Sequence, residues 1–263
     1  MQTLFRAFLS LYLAHLLADF VFQTPHLVAQ KHSGRLKAYL LHGITHFLSM
    51  LIVLGFFLRG SAMIARTYFL LLALSLLHLL LDFIKIRLTQ RQVISFGAGS
   101  YLIDQLLHAF AVFLAAWLLV PGIGFHEVTS FIGAGRGSSA SILLVSVVYI
   151  AVMFGGGYLI RDFTRALADG VKRHSAEKSS EQLQNAGLYI GWLERFLVVT
   201  ALLLHSPATI GLILTAKSIA RYPEFKSEHF AEYFLIGTLL SIAIAMLGGI
   251  LLVKVIFGVV RFG

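Results

Sequence analysis

The chain has 263 residues, of which 58% are hydrophobic and only 13% charged, with a net charge of +9 and no cysteine; its mean hydropathy is +0.86. A soluble domain of this length needs a charged surface around its core, so the composition excludes an ordinary water-soluble fold and indicates a polytopic membrane protein. Without cysteine there are no disulfides and no thiolate metal sites.

Apolar stretches long enough to cross about 30 Å of hydrocarbon run over 4–22, 38–58, 67–84, 101–120, 141–160, 186–205 and 231–257. These seven clear spans are joined by a shorter segment, Thr209 to Tyr222, expected to tilt or to re-enter. The expected fold is therefore all-α, a transmembrane helical bundle of about eight spans. The first stretch is longer than the apolar region of a secretory signal and carries His15 and Asp19, so it is read as a retained span. Three regions follow from the pattern: 1–121, holding the first four spans; 122–141, an outward Gly-rich loop; and 142–263, a second membrane half with a polar cytoplasmic linker over 162–186. The loop lacks the Lys-Ser/Thr ending of a phosphate-cradling loop, and Gly155-Gly156-Gly157 is expected at a close helix contact.

Basic residues orient the spans. The odd connections carry Lys31, Arg35, Lys37, Lys85, Arg87, Arg91, Arg161, Arg165, Lys172, Arg173, Lys178, Lys217, Arg221 and Lys226, against Arg59, Arg66 and Arg136 in the even ones. The positive-inside rule then places the odd connections on the cytoplasmic side of the membrane. The positive charge thus serves topology, and no nucleic acid partner is expected.

The first four spans repeat one pattern. His15-Leu16-Leu17-Ala18-Asp19-Phe20 returns 63 residues later as His78-Leu79-Leu80-Leu81-Asp82-Phe83, and His42-x-x-x-His46 returns 62 residues later as Asp104-x-x-x-His108. The tandem unit is two helices. Each pair is spaced i, i+4, which puts both side chains on one helix face with Cβ atoms about 5–6 Å apart. All four pairs lie toward the cytoplasmic ends of their spans. Burying one Asp in a membrane costs roughly 2.5–3.5 kcal/mol, so three of them among five histidines are expected either to compensate one another or to bind cations. A four-coordinate ion uses half of eight donors; two ions about 3.5–4 Å apart use most of them. Imidazole with carboxylate fits zinc, manganese or iron. His15, Asp19, His42, His46, His78, Asp82, Asp104 and His108 are the expected ligands, with Gln105 beside them.

The second half adds charges on the same side. Arg195, Lys217 and Arg221 are candidate contacts for an anionic lipid head group, with Glu194 and Glu232 as further neighbours of the site. These five groups also fit ion pairs at the membrane surface.

On His15-x-x-x-Asp19-Phe20, His42-x-x-x-His46, His78-x-x-x-Asp82, Asp104-Gln105-x-x-His108, and a distal block Ala216-Lys217-Ser218-Ile219-Ala220-Arg221 with Ala231-Glu232-Tyr233, the chain resembles a family of bacterial multi-pass membrane proteins known only as a domain of unknown function. Its His-x-x-x-Asp spacing is similar to that of proteins labelled membrane-bound metal-dependent hydrolases. The resemblance implies a membrane metal site and supplies no substrate. The expected function is a membrane-embedded hydrolase with a dinuclear His/Asp site near the cytoplasmic leaflet, acting on a phosphorylated or ester lipid. Two rivals use the same residues: a divalent-cation or proton-coupled transporter, against which the apolar outer halves of spans one to four count, and a nonenzymatic metal or stress sensor.

Overall fold

The computed structural model describes residues 2–57, 65–95, 97–120, 138–174, 181–223 and 228–258, and for 2, 138, 166–174, 181–186, 228 and 229 the backbone alone. The regular elements of the described residues are all helices, joined by short turns, and the described residues contain no strand. Helix α1 (Gln2–Leu16) runs on through a π-helical turn, Leu17–Val21; α2 (Pro25–His32) is short; α3 (Leu36–Phe57), α4 (Ala65–Gln90) and α5 (Ala98–Leu119) complete the first group. Then come α6 (Ser138–Ile150), a second π-helical turn (Ala151–Gly155), α7 (Gly156–His174), α8 (Glu181–Leu203), α9 (Ala208–Arg221) and α10 (Glu228–Phe257).

Six helical segments of the described residues are long and apolar enough to span a membrane: Thr3–Val21, Leu36–Phe57, Ala65–Gln90, Ala98–Leu119, Ser139–Arg165 and Phe230–Phe257. Of the two further expected segments, α8 has 23 residues and α9 has 14. At 1.5 Å per residue α9 rises only about 21 Å, short of the hydrocarbon thickness. The Gly-rich region 122–137 lies outside the described residues, and helix α6 has begun by Ser138. The polar stretch expected as a linker over 162–186 is helical wherever it is described, because α7 continues to His174 and α8 starts at Glu181.

Two compact units divide the chain, Met1–Val147 and Val148–Gly263. In the first, α1 packs against α3 and α5, and α4 packs against the same two, which closes a four-helix ring. Large apolar side chains of α3, α4 and α5 point outward, among them Leu36, Ile52, Phe56, Phe69, Leu106 and Phe110, while the cluster histidines and aspartates point in. This is the inverse of a soluble bundle and suits lipid as the surrounding solvent. Gly43 lets α3 approach α4 at the level of the site, since a Cβ there would lie 2.7 Å from Leu79 Cδ1. Short α2 starts with Thr24 as N-cap, accepting from Leu27 N–H at 3.3 Å, and with Pro25 at its first position.

In the second unit α10 packs along α7 and α8. A Cβ at Gly156 would lie 3.0 Å from Ile244 Cγ2, a close helix contact at the glycine run the sequence pointed to, and one at Gly249 would lie 2.6 Å from Leu202 Cδ1, so small residues set both contacts.

Candidate metal centre

The ring of four helices brings all eight repeat residues into one cluster. His15, Asp19, His46 and His78 offer ligand atoms within 4.8 Å of one another, as do His42, His78 and Asp82, and likewise Asp82, Asp104 and His108. Because His78 and Asp82 are shared between groups, the three sets are continuous.

The cluster has two tiers, fixed by the order of residues along each helix. On α1 and α4 the chain passes the first residue of each pair, His15 or His78, before Asp19 or Asp82; on α3 and α5 it enters from the same end and meets His42 or Asp104 before His46 or His108. One helical turn separates the tiers. The inner tier is therefore four imidazoles, one from each helix, and these line a cavity of about 10 Å³ floored by Met50, Leu74, Ala111 and Val112. The outer tier, toward the α1–α3 and α4–α5 connections, is Asp19, His42, Asp82 and Asp104. Its carboxylates keep 10–14% of their side-chain surface, against 0–4% for the five histidines.

Asp19 is the hub. His46 Nε2 donates to its Oδ1 at 2.9 Å, and the Nε2 atoms of His42 and His78 lie 3.2 and 3.4 Å from the same oxygen. The two latter nitrogens are 3.0 Å apart. Around an ion with bonds of about 2.0–2.1 Å, tetrahedral ligand atoms stand about 3.3–3.4 Å from one another. The His42 and His78 separations from Asp19, 3.2 and 3.4 Å, are close to that spacing, whereas the 2.9 and 3.0 Å separations are those of hydrogen bonds. Asp19 sits on the π-helical turn, closed by Phe22 N–H on the Leu17 carbonyl at 2.9 Å. Such turns re-aim side chains and concentrate at functional sites. The equivalent Asp82 lies in regular helix, so the repeats are not equivalent in structure.

Several ring nitrogens lack hydrogen-bond partners despite burial: His15 Nε2, His42 Nδ1, His78 Nδ1 and His108 Nε2. Leaving buried polar atoms unpaired is costly. His108 is informative, because its Nδ1–H donates to the Asp104 carbonyl at 2.8 Å, which leaves the Nε2 lone pair turned toward the cluster. That second bond is the way proteins orient metal-ligating imidazoles. The His15 and His108 rings are 5.1 Å apart and stacked. The donor set and its orphaned nitrogens fit a divalent cation.

Two residues escaped the sequence reading. Lys31, on α2, donates to Asp82 Oδ2, and Lys85 donates to Asp104 Oδ2 at 2.7 Å. Both had been counted only as topology charges. Lys85 carried a signal, being three residues after Asp82 on the same helix face; Lys31 reaches the cluster only because α2 folds back over its mouth. Gln90 Nε2 anchors α2 by donating to the His32 carbonyl at 2.7 Å, and Tyr39 Oη donates to the Lys31 carbonyl at 3.4 Å. His32, on α2 outside the spans, is held below the usual imidazole range by burial and by the nearby Lys31 and Lys85 ammoniums. Gln105 lies where expected, with Nε2 donating to Asp104 Oδ2 at 3.3 Å.

The candidate head-group residues belong to the second unit. Arg195 is buried and donates to the Met153 carbonyl through Nη2 at 2.6 Å and Nε at 3.2 Å, and to Ser241 Oγ at 3.3 Å. Met153 lies in the π-helical turn Ala151–Gly155, where the widened turn frees a carbonyl that Arg195 then satisfies. Gly157 makes room, since a Cβ there would lie 2.9 Å from Arg195 Nη2. Arg195 thus already spends its fork on the protein's own backbone. Lys217 donates to Glu194 Oε2, while Glu194 Oε1 is buried without a hydrogen-bond partner. Arg221 is half-buried at the end of α9 and Glu232 is exposed on α10.

No curated protein and no solved structure matches the chain. One family matches residues 7–131, and the distal block around Lys217 and Glu232 stands outside the match. The matched residues contain the whole of the eight-residue cluster, and the family whose model they match is described as a protein of unknown function, DUF3307.

Proposed function

We propose that the protein is a membrane-embedded metal-dependent hydrolase acting on a phosphorylated or ester lipid, with two divalent ions, zinc, manganese or iron, held by the His/Asp cluster. The observation that carries the reading is the convergence of three imidazole Nε2 atoms on Asp19 Oδ1 at 2.9–3.4 Å, beside unpartnered nitrogens of His15 and His108. The first ion is held by Asp19 with His15, His46 and His78, the second by Asp82, Asp104 and His108. Such ions acidify a water and polarise the scissile group. The protein's own part is positional: the inner imidazoles fix the ions, apolar Met50, Leu74, Ala111 and Val112 exclude bulk water below them, and a cluster carboxylate accepts the proton of the attacking water.

The apolar lining by Met50, Leu74, Ala111 and Val112 beyond the inner imidazoles favours a site with one mouth over a carrier path. By the distribution of basic residues the mouth faces the cytoplasm, and the resemblance to bacterial multi-pass membrane proteins makes the membrane a bacterial inner membrane. The similarity of the His-x-x-x-Asp pattern to membrane-bound metal-dependent hydrolases supports the reaction class by analogy alone.

The test is elemental analysis of detergent-purified protein, wild type against the double variant His15→Ala, His78→Ala. About two equivalents of one transition metal in the wild type, lost in the variant, support the reading. Less than about a tenth of an equivalent after reconstitution overturns it, because sites of this donor type hold metal tightly.

A further inference from the structure

The carboxylates of the two repeats are neutralised by different means. Asp19 is surrounded by imidazoles, whereas Asp82 and Asp104 each accept from a lysine ammonium. Those same two carboxylates, with His108, form one of the groups able to share a cation. An ammonium and a metal ion would compete there for the Oδ2 atoms of both residues.

The competition has a consequence in charge. With neutral imidazoles, three carboxylates face two ammoniums, which leaves one negative charge to attract a first divalent ion. Two divalent ions turn this into three positive charges in a low-dielectric setting, and such an excess is stable only beside an anion. The displaced ammoniums cannot leave. Lys31 is 5% exposed, and its helix is tied down at the His32 and Lys31 carbonyls by Gln90 and Tyr39. Lys85 is fixed to α4, one turn beyond Asp82, with its side chain 31% exposed. Both stay at the mouth, where substrate must enter.

We propose that Lys31 and Lys85 are exchangeable counter-charges which, once the carboxylates hold metal, bind a phosphate-type oxyanion at the mouth of the cluster. Resting on the metal reading, this names the substrate class for the same site: a phosphomonoester, whose dianion offsets most of the excess charge. Lys suits the task as a mobile point charge with three donors. In this arrangement Lys31 and Lys85 take the head-group role that the sequence gave to Arg195, Lys217 and Arg221.

The experiment uses the full chain in detergent micelles, with the variants Lys31→Met, Lys85→Met and Lys31→Arg. Calorimetric titration first measures Zn²⁺ alone, then inorganic phosphate and short-chain phosphatidic acid added to zinc-loaded protein. The Met variants are expected to bind the second zinc equivalent at least as tightly as wild type, because a competitor has gone. Their affinity for the oxyanion is expected to fall about 10- to 100-fold, the range for losing one charged hydrogen bond, and Lys31→Arg is expected to restore most of it. Competition between the two probes supports a subsite that reads the phosphate itself; binding of phosphatidic acid alone supports the same subsite with a lipid head group as its source. Weaker zinc binding in the Met variants, or unchanged oxyanion affinity, overturns the proposal. If wild type takes up no zinc, the metal reading falls with it, whereas zinc uptake with lysine-independent oxyanion binding sinks this proposal alone. Lys85→Met keeps the test usable if the buried Lys31→Met variant does not fold.

Discussion

Asp19→Asn isolates the hub of the cluster. The substitution keeps side-chain volume and a carbonyl that can still accept from His46, 2.9 Å away, but it removes the charge on which His42 and His78 also converge. An ion present at 100 times its Kd stabilises the folded state by about 2.7 kcal/mol. For a domain of about 150–250 residues that raises Tm by roughly 5–11 °C. Weakening even one oriented contact to a metal costs about 10- to 100-fold in affinity. At 100-fold weaker binding the same metal concentration only equals Kd, so the stabilisation falls to about 0.4 kcal/mol and the shift to roughly 1–2 °C. The assay is thermal unfolding in detergent, followed by tryptophan fluorescence, for both proteins stripped with chelator and then reloaded with zinc. Metal-stripped wild type and variant should unfold within a few degrees of each other, because loss of one charge-assisted hydrogen bond is worth only about 1–2 kcal/mol. The reasoning is refuted if zinc leaves wild-type Tm unchanged, or if Asp19→Asn shows the full wild-type shift.

Other outcomes follow from the same geometry. Imidazole and carboxylate ligate only when deprotonated, so metal retention should fall as the pH is lowered; elemental analysis after dialysis at successively lower pH checks this, and retention that stays flat down to acid unfolding would speak against these ligands. Arg195→Met should destabilise the protein by about 2–4 kcal/mol, through loss of the Met153 and Ser241 bonds, yet leave metal content at the wild-type value; a loss of metal would mean that Arg195 contributes to the site after all. Gly249→Leu places new atoms where Leu202 already stands, and overpacking should cost about 1–3 kcal/mol, read as a lower Tm with unaltered metal stoichiometry.

The sequence by itself determined the helical membrane architecture, because lipid leaves few ways to satisfy the backbone and long apolar runs such as 38–58 and 101–120 admit only helices. It also determined the cluster. The i, i+4 spacing of His15/Asp19, His42/His46, His78/Asp82 and Asp104/His108 is a local property of each helix, and duplication at 62–63 residues marked the four helices as partners. The fold brings all eight side chains together, six of them buried and Asp19 and Asp82 half-buried. What the sequence could not carry was long-range geometry. The π-helical turn that re-aims Asp19 is a one-residue change in hydrogen bonding with no compositional signature. Lys31 reads as an ordinary loop charge until α2 folds over the mouth and brings it to Asp82, 51 residues away. Arg195 reads as a free phosphate fork until the widened turn at Met153 presents a carbonyl to it. In each case a local pattern set which groups lie on a helix face, while packing between helices chose the partner that neutralises them, since a buried charge takes whichever counter-charge or carbonyl the tertiary fold brings within reach.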